Sequence, residues 1–275
     1  ATTLDHVDKR GADYGRIRLW GSIGFIAAVM GVGWMLDQRG IPSLLPVVAI
    51  TMLGIVASCC ALPEAQHDAR MQPDEAIGSV LRRPEVIGLI AACFLMAAAH
   101  GPYYTFFSIH LADHDYSKTW IGAMWAIGVL AEIAIFACMP ALNRRFSAAD
   151  LLATSFAIAV LRFVLIGWLS TWPVALFLAQ LMHAATFGIF HAASLTCVHK
   201  LFRGRTQARG QAVYSSLSFG LGGALGSLGS GIAWDWLGPS GTFGAASICA
   251  LAGFAVLLSV RTRLAWAAAR ADSLA

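Results

Sequence analysis

VIGLIAACFLMAAAHGPYYTFFSIH, residues 86–110, runs for 25 residues without an aspartate, glutamate, lysine or arginine. As a helix it would be about 37 Å long, more than the roughly 30 Å of hydrocarbon in a bilayer. Residues 119–140, TWIGAMWAIGVLAEIAIFACMP, repeat the pattern with the single charge Glu132. Working outward in both directions, apolar runs bounded by charge or by Pro and Gly predict eight helices: 17–36, 43–62, 86–110, 119–140, 149–170, 172–197, 211–234 and 241–260. The composition agrees. Of 275 residues 58% are hydrophobic and 12% are charged, against about 25% charged in a soluble domain. That leaves too little polar surface to cover a water-soluble globule, so the solvent for most of this chain is lipid.

The six cysteines (59, 60, 93, 138, 197 and 249) all fall inside apolar runs without CxxC spacing. They read as small buried hydrophobes rather than as disulfides or metal ligands. The net charge of +4 suggests nucleic acid only until the charges are placed. Sixteen of the nineteen Lys and Arg fall before the first span and after the second, fourth, sixth and eighth; Arg39 and Lys118 lie on the other side and Arg162 within a span. This is the positive-inside pattern, and it predicts that both ends of the chain are cytoplasmic. The chain opens on Ala1 and a polar stretch with no initiator Met or signal-peptide pattern, so it is expected to begin inside a longer protein.

The segment 64–85 carries Pro73, Pro84 and charges of both signs. It reads as a cytoplasmic linker between 1–63, which holds two spans, and 86–275, which holds six. Six is the unit from which many secondary transporters build two halves around a midplane site, so four spans are expected to be missing. Gly222, Gly226 and Ser230 recur every four residues in the seventh span and predict a close helix contact. Gly21 and Gly24 predict another in the first.

An ionisable side chain at mid-bilayer costs a few kcal/mol and is a functional candidate by default. Four consecutive spans carry one near their centres: His100, Glu132, Arg162 and His183. Their common depth predicts a shared water-filled cavity. Arg162 stays charged, so its cheapest neighbour in a dry site is a carboxylate. The expected pair is Glu132–Arg162, serving as a structural ion pair or, because Glu132 can exchange a proton, as a coupling group. His183 and His191 lie about two turns apart on overlapping faces, where a histidine can bond substrate or pass a proton. His100 precedes Gly101-Pro102-Tyr103-Tyr104, a sequence predicted to kink its helix, and interrupted helices often line transport sites. Tyr103 and Tyr104 face substrate or pack. His110, Asp113, His114 and Asp115 gather at the predicted outer mouth. His110 and Asp115 match an H-x4-D spacing, but without an acyl-acceptor motif, phosphate loop, GxSxG or HExxH the group reads as a solvated loop.

Asp13-Tyr14-Gly15-Arg16-Ile17-Arg18-Leu19-Trp20-Gly21-Ser22-Ile23-Gly24-Phe25 resembles the entry to the fifth span in the 3-phenylpropionate permease group. That group belongs to the major facilitator superfamily, near the lactose and nucleoside proton symporters. The resemblance continues through His100–Tyr104, Gly128–Ile133, Leu161-Arg162-Phe163, Gln180–His183 and Gln211–Ser215. It implies a twelve-helix rocker-switch fold, of which this all-α, polytopic chain would hold eight helices. Against the lactose permease pattern, Arg18 matches a substrate-contacting arginine and Phe25 falls where a tryptophan stacks on sugar. Glu132, Arg162 and His183 match the glutamate, arginine and histidine of the C-terminal half. Thr186 replaces the proton-carrying glutamate, Gln180 a lysine and His100 an aspartate, so the lactose-type proton relay is incomplete.

The expected function is therefore proton-coupled uptake of a small organic substrate, such as an aromatic carboxylate, across a bacterial cytoplasmic membrane. Arg18, Phe25, His100, Tyr103, Tyr104, Arg162, His183 and His191 are the expected substrate contacts, and Glu132 with His183 the proton-coupling groups. An efflux permease, a nucleoside or sugar symporter, a substrate sensor and a membrane enzyme built on the outer His/Asp group are the alternatives. The expected partners are substrate, protons and lipid, with no nucleic acid, metal or cofactor, for a protein acting as a monomer.

Overall fold

The computed structural model describes residues 14–61, 77–203 and 206–272, with side chains described within 20–265 of that range. The described residues are helical apart from short turns. In chain order the helices are α1 (Tyr14–Arg39), α2 (Leu44–Cys60), α3 (Ile77–Leu81), α4 (Pro84–Ala99), α5 (Gly101–Ala112), α6 (Lys118–Arg145), α7 (Ala148–Trp168), α8 (Pro173–His183), α9 (Phe190–Leu201), α10 (Thr206–Ser215) and α11 (Gly223–Asp272). Two segments are wound as π-helix, Ala184–Ile189 between α8 and α9, and Ser216–Gly222 between α10 and α11.

Local chemistry sets the helix starts. Pro84 and Pro173 open α4 and α8, where a missing N–H costs nothing. Ser117 and Ser147 cap α6 and α7 by accepting from Trp120 N and Asp150 N. α4 and α5 form one apolar stretch, Pro84–Ala112, bent at His100. Pro102 has no N–H to give Ala98 O, so the chain kinks there without unwinding.

Seven continuous helical stretches among the described residues are long and apolar enough to cross a bilayer. The last, Thr206–Ala265, has 60 residues, about 90 Å and roughly three bilayer cores. It is two spans meeting at Gly238, whose φ of 68° and ψ of −179° break the helix just before Pro239. Glycine adopts that conformation freely where other residues would be strained. The predicted boundary between spans 211–234 and 241–260 falls here, so eight crossings stand, and the chain is a multi-pass membrane protein.

α11 packs along α4 and α7, the second π segment lies on α4, and α1 lies on α6. Contact between α4 and α11 is through glycine, as the four-residue spacing predicts. A Cβ on Gly226 would stand 2.5 Å from Ala98 Cα, and one on Gly222 would stand 2.7 Å from Phe94 O. Gly21 and Gly24 make no such contact among the described residues, where a Cβ on either meets nothing within 4 Å. The described close approach of α1 to α6 lies nearer Arg39. There a Cβ on Gly33 would be 2.6 Å from Lys118 O, and Gly122 is pressed against Val29. The cysteines are free, but only Cys93 and Cys197 are buried; Cys59, Cys60 and Cys138 are exposed on apolar helices.

Candidate functional site

Arg162 is among the largest fully buried side chains in the molecule, at 0% exposure. It lies on α7, one residue before Phe163, and reaches toward α8 and the first π segment. Its Nε donates to Ala179 O (2.8 Å), Nη1 to Thr186 Oγ1 (3.2 Å) and Nη2 to Gln180 Oε1 (3.3 Å). The guanidinium carbon lies 4.1 Å from the centre of the Tyr103 ring, a cation–π distance. Tyr103 also donates its hydroxyl to Gln180 Oε1 at 3.0 Å. Three neutral oxygens and one aromatic face thus hold a permanent cation out of water. Such a cation is costly to bury, and a ligand carboxylate that replaced a neutral acceptor would be strongly held.

The carboxylate expected beside Arg162 has a different described partner. Glu132 Oε1 is 2.8 Å from His183 Nε2, a contact that bridges α6 to the end of α8. The described hydrogen bonds of Arg162 go to neutral groups, two of them on α8, with Glu132 near enough to act on the guanidinium through its charge. Gln180 and Thr186, which read from sequence as departures that remove a lysine and a glutamate, are two of the three acceptors.

The four mid-span groups do come together. The His183 ring is 6.4 Å from His100 and 5.2 Å from Tyr103, and His100 meets Phe163 edge-on at 5.2 Å. His100 Nδ1 donates to Met96 O at 2.8 Å. His100 Nε2, Gln180 Nε2 and His183 Nδ1 are buried without a hydrogen-bond partner, an unusual concentration for one cluster. His191 joins through a column of rings. His183 stacks on Phe187 (5.5 Å, 20°), and Phe187 stacks on His191 (6.0 Å, 6°). Tyr104 is 51% exposed and stacks over Trp125. Phe25 is 42% exposed on α1 and makes none of the described ring contacts of the cluster. The side chain of Arg18 lies outside the described residues.

Beside the cluster is a cavity of about 170 Å³ between the α4–α5 bend and the two π segments. Tyr104, Phe187, Phe190 and Phe219 supply aromatic wall, and His100 and Thr186 join it to the Arg162 network. Both π segments border it, as π-bulges often do at functional sites. Nothing in the apolar pattern announces them, since a π turn differs from an α turn by one residue in a sequence apolar on most sides.

A second polar feature escaped the sequence reading. Asp37, near the end of α1, accepts from Lys118 N and Thr119 N at 2.8 Å each and from Thr119 Oγ1 at 2.6 Å. With Ser117 Oγ on Trp120 N and Ser117 O on Ile121 N, the first four N–H groups of α6 all have acceptors. Near the same end, His110 departs from the expected solvated loop. It is buried, hydrogen bonded to Ile166 O at 3.2 Å, and packed on His114, Trp234 and Phe243. Its place on α5 faces the bundle, which the H-x4-D spacing could not reveal. Among the described residues no group of three or more His, Cys, Asp and Glu could hold a metal.

A family model described as the MFS_1 like family matches residues 1–245. The chain is 32% identical over 243 residues to a probable 3-phenylpropionic acid transporter of Escherichia coli (strain K12), covering 87% of this chain and 63% of that protein. It is 26% identical over 268 residues to a maltose permease of Geobacillus stearothermophilus, covering 94% and 66%. The crystal structure of the nucleoside transporter NupG superposes with a TM-score of 0.71 at 19% identity, over 95% of this chain and 70% of that one. The chain thus spans just under two thirds of the length of these curated relatives.

Proposed function

The chain belongs to the MFS_1 like family of membrane transporters, and from that premise we propose that the protein is a proton-coupled secondary transporter of small aromatic carboxylates. The observation that carries the reading is Arg162, a buried cation on neutral acceptors beside a Glu132–His183 pair and an aromatic-walled cavity. Substrate carboxylate would exchange for one of the neutral acceptors, with His100, Tyr103, Tyr104, His183 and His191 around it. A proton on Glu132 would release His183 and leave Arg162 short of negative charge, which favours the substrate anion. Proton and substrate binding then support each other, the requirement for symport. The substrate named for the E. coli relative fits this chemistry better than a sugar, because its carboxylate would neutralise the guanidinium and a sugar hydroxyl would not.

On this reading residues 1–63 belong to one rocking half, 64–85 to the linker and 86–275 to the other half. The protein would work as a monomer in a bacterial inner membrane, with both described ends cytoplasmic and Asp37 on the outer side. The test is uptake of labelled 3-phenylpropionate into vesicles carrying the full-length protein, with and without an imposed proton gradient. Gradient-driven uptake that disappears in Glu132→Gln is the expected result. Uptake without gradient dependence would remove the coupling, and labelled maltose or a nucleoside taken up instead would replace the substrate.

A further inference from the structure

We propose that the cavity between the α4–α5 bend and the two π segments is the seat of the substrate's hydrocarbon ring, and that it selects for one ring of benzene size. The inference rests on the carboxylate reading above and adds the part of the molecule that distinguishes one acid from another. The size is right. At about 170 Å³ the cavity is close to the roughly 150 Å³ of an engineered apolar cavity that binds benzene. The lining is also right. Tyr104, Phe187, Phe190 and Phe219 present rings, and Gly223 leaves room where any side chain would intrude.

Polar groups on the wall are few, and one is already engaged. Thr186 accepts from Arg162 Nη1 at 3.2 Å, which leaves His100, Tyr104 and Ser227 as the other polar side chains. A pyranose or a nucleobase carries more polar groups than His100, Tyr104 and Ser227 can serve, so one placed here would bury some without partners, whereas a phenyl ring has none to bury. Thr186 belongs both to the cavity wall and to the Arg162 network, so it fixes the direction of the ligand. A carboxylate on a short chain from a ring in the cavity reaches toward the guanidinium.

Gly223 provides a clean test, because a Cβ built there meets nothing within 4 Å. Gly223→Val fills the cavity without forcing the helices apart. Gly229 on the same helix is equally open but lies outside the cavity, so Gly229→Val controls for helix substitution. Equilibrium binding of labelled 3-phenylpropionate and of the neutral 3-phenyl-1-propanol is measured on the purified full-length protein and both variants. Gly223→Val should weaken both ligands about tenfold or more, the scale of losing a buried ring, and Gly229→Val should bind as the parent does. Parent-like binding by Gly223→Val overturns the assignment and leaves the transport reading in place. Alcohol binding that is sensitive to Gly223→Val, without acid binding, keeps the cavity assignment and removes the carboxylate reading. A parent that binds neither ligand overturns both.

Discussion

Arg162 and Asp37 are both charges set into apolar helices, and the structure treats them in opposite ways. Arg162 is sealed among neutral oxygens and a tyrosine face, with no solvent contact. Asp37 is exposed, yet it satisfies two backbone N–H groups and a hydroxyl at the start of α6. On the proposed function, the first site holds charge that a substrate anion would complete. The second is already complete and ties a side chain of α1 to the backbone of α6. A charge in a span therefore has two physical outcomes, and partners rather than depth decide between them.

The comparison is most exposed at Arg162. Arg162→Gln should weaken 3-phenylpropionate binding roughly thirtyfold, equivalent to about 2 kcal/mol for a charge-assisted hydrogen bond. Arg162→Lys should restore little of it, because a point ammonium lacks the planar fork whose Nε, Nη1 and Nη2 each reach a different acceptor. Binding unchanged in either variant would make Arg162 structural and dissolve the contrast.

The seam between α1 and α6 gives the next largest effect. A Cβ on Gly122 would press on the backbone of Val29, which cannot step aside as a side chain can. Gly122→Val should lower the melting temperature of the full-length protein and open the seam. Asp37→Ala removes only hydrogen bonds. It should leave melting nearly unchanged while speeding, severalfold, the labelling of a reporter cysteine at Val29 in a background without native cysteines. Lys118→Ala should do least of all, because the described hydrogen bond to Asp37 comes from the Lys118 backbone N–H, which alanine keeps. If Lys118→Ala matched Asp37→Ala, a side-chain ion pair would be the better description.

Much of the fold was legible because lipid imposes a blunt rule, twenty or so apolar residues per crossing, that no local detail can hide. Residues 86–110 and 119–140 announce themselves on that rule. The break before the eighth span follows from Gly238-Pro239 chemistry, and the Gly222–Gly226 contact from its spacing. The gathering of His100, Glu132, Arg162 and His183 was also legible, since ionisable groups at one depth on consecutive helices have few places to go. Their pairing was not. Burial could be inferred for Arg162, but a neutral acceptor such as Gln180 or Thr186 carries no signature in a span. The acceptor role of Asp37 carries no sequence signature, because it depends on N–H groups about eighty positions away. The same limit applies to α1, where the described close contact falls at Gly33 and not at Gly21 or Gly24.

The π winding of Ala184–Ile189 gives this part of the chain an unusual tolerance of a change in length. An α-helix that loses a residue turns everything beyond the gap by about 100°. A π segment that loses one can relax into α-helix, shedding its extra residue while holding the flanking turns in place. Single-residue deletions within Ala184–Ile189 should thus be tolerated better than deletions within α7 or α8, at the cost of parting the stacked rings of His183, Phe187 and His191. Among relatives of this chain, one-residue gaps should gather at the walls of the cavity rather than in the loops alone.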